Sequence, residues 1–132
     1  MKLHHTGYIT GNIDETAKAF EVLGYCKQPI YDDIIQKCFI CFLKRSDDEP
    51  MVELVQPYND NVQMQKMLKK KGVSPYHLCY EVDNVQALFD DLSLKEDWVA
   101  MFEPVQAVAL GNRRITYFMN YELGFIEFVN VD

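Results

Sequence analysis

The chain has 132 residues, enough for one compact domain and too few for a multidomain enzyme or a long repeat array. Hydrophobic residues make up 48% and charged residues 25%, the composition of an ordinary globular protein, which excludes a disordered or fibrous chain. With 13 Lys and Arg against 20 Asp and Glu the net charge is -7, a field that repels phosphate backbones and anionic lipid, so neither nucleic acid nor a membrane is an expected partner.

The opening residues Met1-Lys2-Leu3-His4-His5 carry no apolar signal segment, and no stretch approaches the roughly 20 apolar residues of a membrane span, so a cytoplasmic location is expected. A strand is predicted over residues 4–10, followed by Gly11-Asn12-Ile13-Asp14, with Asp14 as N-cap of a helix over 15–23 that Gly24 stops. After Gln28-Pro29 the apolar run 38–43 predicts a strand, Ser46-Asp47-Asp48-Glu49-Pro50 a turn, and 51–55 a further strand closed by Pro57. Residues 58–72 have a helical pattern through Val62, Met64, Met67 and Leu68 and end in Lys69-Lys70-Lys71-Gly72, where cations complement the helix dipole and the glycine stops it. That lysine cluster reads as a solvated helix end in preference to a holder of an anionic cofactor tail.

The second half repeats the order. A strand over 76–82 leads to an N-cap at Asp83 or Asn84 and a helix over 85–92, then short strands near 105–110, 114–119 and 125–129. The fold class is therefore α+β: two βαβββ modules, at about 1–57 and 74–132, joined by a connector helix at about 58–73 within a single domain. Half-open sheets of this kind leave apolar edges, and symmetric pairing is the commonest way to cover them, so a homodimer is expected.

Four cysteines, Cys26, Cys38, Cys41 and Cys79, are read as reduced thiols of a cytoplasmic protein. Cys38 and Cys41 form a C-x2-C inside a strand, where residues three apart point to opposite faces, and no second pair accompanies them. They are read as core residues.

Internal repetition picks out four other residues. His5 and His77 hold the same place in the two opening strands, and Glu53 and Glu127 the same place in Met51-Val52-Glu53-Leu54-Val55 and Phe125-Ile126-Glu127-Phe128-Val129. His5 precedes Glu53 by 48 residues and His77 precedes Glu127 by 50. Each glutamate has apolar neighbours on both faces of its strand, so its carboxylate has no evident exposed side. An ionised carboxylate so placed is costly unless it is paired or binds a cation. A single such Glu would read as an edge-strand residue in water. Two histidines and two glutamates matched by a repeat instead make a ligand set for one borderline divalent ion, Zn, Ni, Co, Fe or Mn.

His4-His5-Thr6-Gly7-Tyr8-Ile9, Val52-Glu53-Leu54-Val55-Gln56-Pro57, Pro75-Tyr76-His77-Leu78-Cys79-Tyr80-Glu81-Val82-Asp83 and Gly124-Phe125-Ile126-Glu127-Phe128-Val129 resemble the vicinal oxygen chelate superfamily, in the branch of methylmalonyl-CoA epimerase and glyoxalase I. The resemblance covers nearly the whole chain. It implies paired βαβββ modules curled around a metal-binding cavity, with His5, Glu53, His77 and Glu127 as metal ligands. It further implies a metal-dependent isomerase, epimerase or lyase that abstracts a proton next to a carbonyl and stabilises the enolate. Glu127 is the first candidate for the base and Glu53 the second. The implied partner is a small molecule with a carbonyl or thioester, such as a CoA or thiol conjugate.

One departure touches this expectation. Similar epimerases carry an acidic second base beside a Gln-Gly-Val stretch before the strand at 38, whereas this chain reads Asp33-Ile34-Ile35-Gln36-Lys37. Asp33 could serve only with a shifted backbone. Gln36, Arg113 and Arg114 are candidates for holding a carbonyl or anionic group, though Gly111-Asn112-Arg113-Arg114 reads first as an exposed turn. Two alternatives stand beside the enolate chemistry. An extradiol-type dioxygenase would need only two histidines and one carboxylate. A metal-free binding protein of the bleomycin-resistance kind normally lacks these ligands.

Overall fold

The computed structural model describes residues 1–132 and divides into two compact units, His5–Tyr76 and Met1–His4 with His77–Asp132. The first unit is built from β1 (Lys2–Ile9, from His5 onward), α1 (Ile13–Glu21), β2 (Cys26–Asp33), β3 (Cys38–Lys44), β4 (Met51–Pro57) and α2 (Val62–Lys71). The second contains β5 (Ser74–Val82, from His77 onward), α3 (Val85–Leu92), β6 (Trp98–Ala107), β7 (Arg113–Asn120) and β8 (Gly124–Asn130). The α+β class and the two βαβββ modules are as the sequence predicts. No helix is long and apolar enough to cross a membrane.

Each module closes in the same way. In the first, β4 lies between β1, which it pairs in parallel from His5↔Met51 to Ile9↔Val55, and β3, which it pairs antiparallel; β2 then pairs with β3. In the second, β8 lies between a parallel β5 and an antiparallel β7, and β6 pairs with β7. The helix in each module supplies the crossover that a parallel pair requires.

Those helices decide which side of the strands is apolar core. Ile13 and Ala17 of α1 are buried with Cys41, Leu43, Val52 and Leu54, and Tyr8, Phe20, Tyr25 and Phe39 pack against them. Val85 and Leu92 of α3 are buried with Val82, Phe118, Ile126 and Phe128. Side chains alternate along a strand. Val52 and Leu54 on the helix side therefore send Glu53 to the other side, and Ile126 and Phe128 do the same to Glu127.

The helix termini differ slightly from expectation. Asn12, rather than Asp14, caps α1, because its side chain accepts from the Glu15 amide at 3.0 Å, the bond an N-cap makes to the third helical residue. Asp14 instead falls in the first turn, where its charge suits the dipole, and meets Lys27 Nζ at 3.0 Å. Asn84 caps α3 through the Ala87 amide, and Asn61 caps α2, which Gly72 ends. Gly24 adopts φ +92, a conformation that stops the chain from continuing α1.

Two strands were placed differently from the pattern in the sequence. β2 carries Pro29 and is largely exposed; a register shift between Lys27 and Ile30 accommodates the missing donor, so the segment lacks the apolar alternation that marks a strand. β6 starts at Trp98, well before the expected 105, and ends at Ala107; residues Val108–Leu110 form a short 3-10 turn rather than a strand. Its pairing with β7 slips around Phe102 and Val105, on either side of Pro104, which blurs its period of two. All four cysteines are free thiols, with Cys38, Cys41 and Cys79 buried and Cys26 exposed.

Candidate metal centre

In the first unit the face of β4 turned away from α1 carries Glu53, and the neighbouring strands put His5 and Phe42 on the same side. Phe42 is directly paired with Glu53. His5 lies on β1 in register with Met51, one inward position along from Glu53. His5 is fully buried and Glu53 is 2% exposed, and His5 Nε2 stands 3.4 Å from Glu53 Oε1. The Phe42 ring meets the imidazole edge-on, with centroids 5.2 Å apart.

The second unit repeats this arrangement. Glu127 on β8 is paired with Tyr117 on β7, and His77 on β5 is in register with Phe125. His77 Nε2 stands 3.2 Å from Glu127 Oε1, both residues being almost completely buried. The Tyr117 ring lies edge-on to the imidazole at 5.1 Å, and its hydroxyl is 3.2 Å from the same Nε2.

The chemistry of these donors fits a divalent cation. Each unit offers an imidazole nitrogen and a carboxylate oxygen, the ligand types that borderline ions take. The spacing agrees as well. A charge-assisted N–H···O bond closes to about 2.7–2.9 Å. Two donors that each stand about 2.1 Å from one ion lie about 3.0–3.4 Å from each other. The separations of 3.4 and 3.2 Å fall within that second range.

The weaker sequence candidates are placed as follows. Gln36 sits in the turn between β2 and β3, where its Nε2 donates to Asp33 Oδ2 at 2.7 Å and its amide to Asp33 Oδ1 at 2.9 Å. Asp33 is itself buried and also receives the Ile35 amide, so its carboxylate organises this turn. Arg113 donates to the carbonyls of Leu110, Asn130 and Val131, tying the chain end to the start of β7, and its Nη2 is 3.3 Å from His4 Nε2. Arg114 is exposed and reaches Gln86 Oε1.

Sequence reasoning passed over Tyr117 and Phe42. They lie 10 and 11 residues before their respective glutamates, so a repeat aligned on the histidines or on the glutamates does not bring them opposite one another. Only the register of β7 on β8 and of β3 on β4 reveals the match.

A family model described as the Glyoxalase/Bleomycin resistance protein/Dioxygenase superfamily matches residues 4–117. No curated protein matches the chain. Among solved structures, methylmalonyl-CoA epimerase from Mycobacterium tuberculosis aligns with a TM-score of 0.84 at 20% identity, over 98% of this chain and 87% of its own. A variant of Streptomyces coelicolor methylmalonyl-CoA epimerase in complex with 2-nitronate-propionyl-CoA aligns with a TM-score of 0.85 at 18% identity, over 98% and 96%. A methylmalonyl-CoA epimerase in complex with methylmalonyl-CoA and NH4+ gives 0.84 at 20% identity, over 98% and 93%. At these identities the likeness is one of fold.

Proposed function

The chain belongs to the glyoxalase/bleomycin resistance protein/dioxygenase superfamily, and on that premise we propose that it is a metal-dependent enzyme that abstracts a proton next to a carbonyl, as an epimerase, isomerase or lyase. The observation that carries this reading is the repeated buried pair, His5 with Glu53 and His77 with Glu127, at equivalent positions of the two modules. His5, Glu53, His77 and Glu127 together are the proposed ligands of one divalent ion, Zn, Ni, Co, Fe or Mn. Such an ion supplies Lewis-acid stabilisation of an oxygen that gains negative charge.

The remaining work falls to the side chains. Glu127 is the proposed base: an oxygen of its carboxylate takes the proton from the carbon next to the carbonyl. The C–H electron pair moves into a new C=C bond and the carbonyl π pair moves onto oxygen. A proton delivered to the opposite face of the same carbon gives the epimer, and one delivered to the former carbonyl carbon gives the isomer. Glu53 is the second candidate for this role. Burial serves the reaction by keeping bulk water from the carboxylate and from the charge that develops.

The substrate proposed is a small acyl thioester of the CoA type, supported by the acyl-CoA ligands named for two structural neighbours. A homodimer in the cytoplasm completes the reading. The test is twofold. Protein purified without added metal is analysed for bound metal, with about one ion per chain expected. Methylmalonyl-CoA is then incubated with it in deuterium oxide, and exchange of the proton on the carbon next to the thioester is followed by NMR. Protein with no bound metal and no exchange after metal loading would overturn the proposal; oxygen consumption with a catechol would replace it by the dioxygenase.

A further inference from the structure

Three cations of the first unit meet carboxylates: Lys27 with Asp14, Lys44 with Asp47 and Arg45 with Glu49. Helix α2 is different. Four of the chain's 13 cations, Lys66, Lys69, Lys70 and Lys71, fall within residues 66–71, and residues 61–80 contain no Asp or Glu. All four lysines are exposed and none forms an ion pair. The helix dipole accounts for the three in the last turn but not for Lys66. Packing does not account for the helix either, since none of its residues is buried. It is held along one seam, where Gln65 Nε2 donates to the carbonyls of Pro57 and Tyr58, and Leu68 Cδ2 lies 3.5 Å from the place a Cβ on Gly11 would take. At about 3.6 residues per turn, Lys66 and Lys70 point away from that seam, with Lys69 beside them. Residues three and four apart are neighbours on a helix, so these three ammonium groups repel one another with no acid to offset them.

We infer that Lys66, Lys69 and Lys70 form a binding face for the phosphate groups of an acyl-CoA thioester. The inference rests on the acyl-thioester reading above and deepens it by placing the substrate's anionic end. A chain of net charge -7 repels a polyanion overall, and a compact group of ammoniums without carboxylate neighbours is a place where the local field reverses. Lysine binds phosphate as a point charge and needs no fixed geometry, which suits an exposed helix face. In an acyl-CoA a flexible pantetheine arm separates the thioester from the phosphates, so the reacting end and the anionic end bind at different places. β4 carries Glu53 and leads through residues 58–61 into α2, so the lysines and one proposed metal ligand belong to the same unit.

The test is the triple variant Lys66→Gln, Lys69→Gln, Lys70→Gln, since glutamine has nearly the helix propensity of lysine and no charge. Propionyl-CoA is titrated onto wild type and variant by calorimetry. The expected result is an affinity loss of about threefold to a hundredfold, the range for three exposed charge contacts. The difference should shrink as salt rises toward about 1 M, where the screening length falls to about 3 Å. It should vanish with S-propionylpantetheine, which keeps the thioester and lacks every phosphate. A second variant, Lys2→Gln, Lys18→Gln, Lys95→Gln, changes the net charge equally at three other exposed lysines and should bind propionyl-CoA as the wild type does. An equal loss in that variant would overturn the inference by placing the effect in the overall field, as would unchanged affinity in the α2 variant. Wild-type protein that binds both thioesters equally well would overturn this inference alone. Wild-type protein that binds neither would overturn the acyl-thioester reading, and this inference with it.

Discussion

Gln56 and Asn130 hold matching positions in the two modules: each lies three residues beyond a buried glutamate and accepts a hydrogen bond from the first amide of its module's helix. The Ile13 amide donates to Gln56 Oε1 at 3.0 Å and the Val85 amide to Asn130 Oδ1 at 2.7 Å. The strand that carries the carboxylate is thus tied to the helix that covers the other face. A helix N-terminus leaves its first amides without internal partners, and here the neighbouring strand supplies one.

Replacement of either residue by Ala should lower stability by about 0.5–2 kcal/mol, the range for losing a side-chain acceptor at a helix start. Urea denaturation followed by circular dichroism measures this. The two losses should add within a few tenths of a kcal/mol in the double variant, because the residues serve different helices. Stability unchanged by Asn130→Ala would show that water replaces the bond without cost.

Glu127→Gln keeps the size and shape of the side chain while removing its charge. The metal-free protein should unfold at a temperature close to that of the wild type. Metal content should fall below one ion per chain, and proton exchange into methylmalonyl-CoA should drop at least about a hundredfold, the lower bound for losing a positioned base. Full metal occupancy with lost exchange would separate the base from the ligand.

Cys26 is exposed whereas Cys38, Cys41 and Cys79 are buried. Burial pushes the Cys41 thiol up, which keeps it as the unreactive protonated form. A thiol reagent should therefore modify one cysteine rapidly in the native protein and the other three only as it unfolds. Cys26→Ser should abolish the fast phase and leave the slow one.

Tyr58 donates to Asp32, and that bond, with the adjacent negative charge, pushes its phenol up to about 12. An ordinary tyrosine titrates near 10. The folded-state value is the higher one, so this contact supports the fold fully below about pH 10 and is lost as the pH rises through about 12. Ultraviolet titrations of the wild type and of Tyr58→Phe should differ by one tyrosine step near pH 12.

The candidate ligands were legible in the sequence because a strand with two buried faces has no ordinary place for a glutamate, and a repeat showed the anomaly twice. His5, Glu53, His77 and Glu127 are buried accordingly. Tyr117 was not legible, since an aromatic residue in an apolar strand is indistinguishable from core until the register places it beside a histidine. Pro29 hid β2 and Pro104 interrupted β6, because both strands tolerate an irregularity that the period of two cannot represent. Asn12 and Asp14 are both good caps, and which one serves depends on where the chain leaves β1, which is a tertiary matter.

The alternation along β4 and β8 has a genetic corollary. Within either strand, adding or deleting a single codon before the glutamate exchanges the helix-facing residues with those of the opposite face, sending Val52 or Ile126 to the histidine-bearing side and a carboxylate into the hydrocarbon core. Point substitutions at Val52, Leu54, Ile126 or Phe128 are felt through folding, and those at Glu53 or Glu127 through the proposed metal site. An in-frame indel strikes both at once. Lineages descended from this chain should therefore vary in length at the turn of residues 46–50, which is mostly exposed, and scarcely at all within the strands it joins.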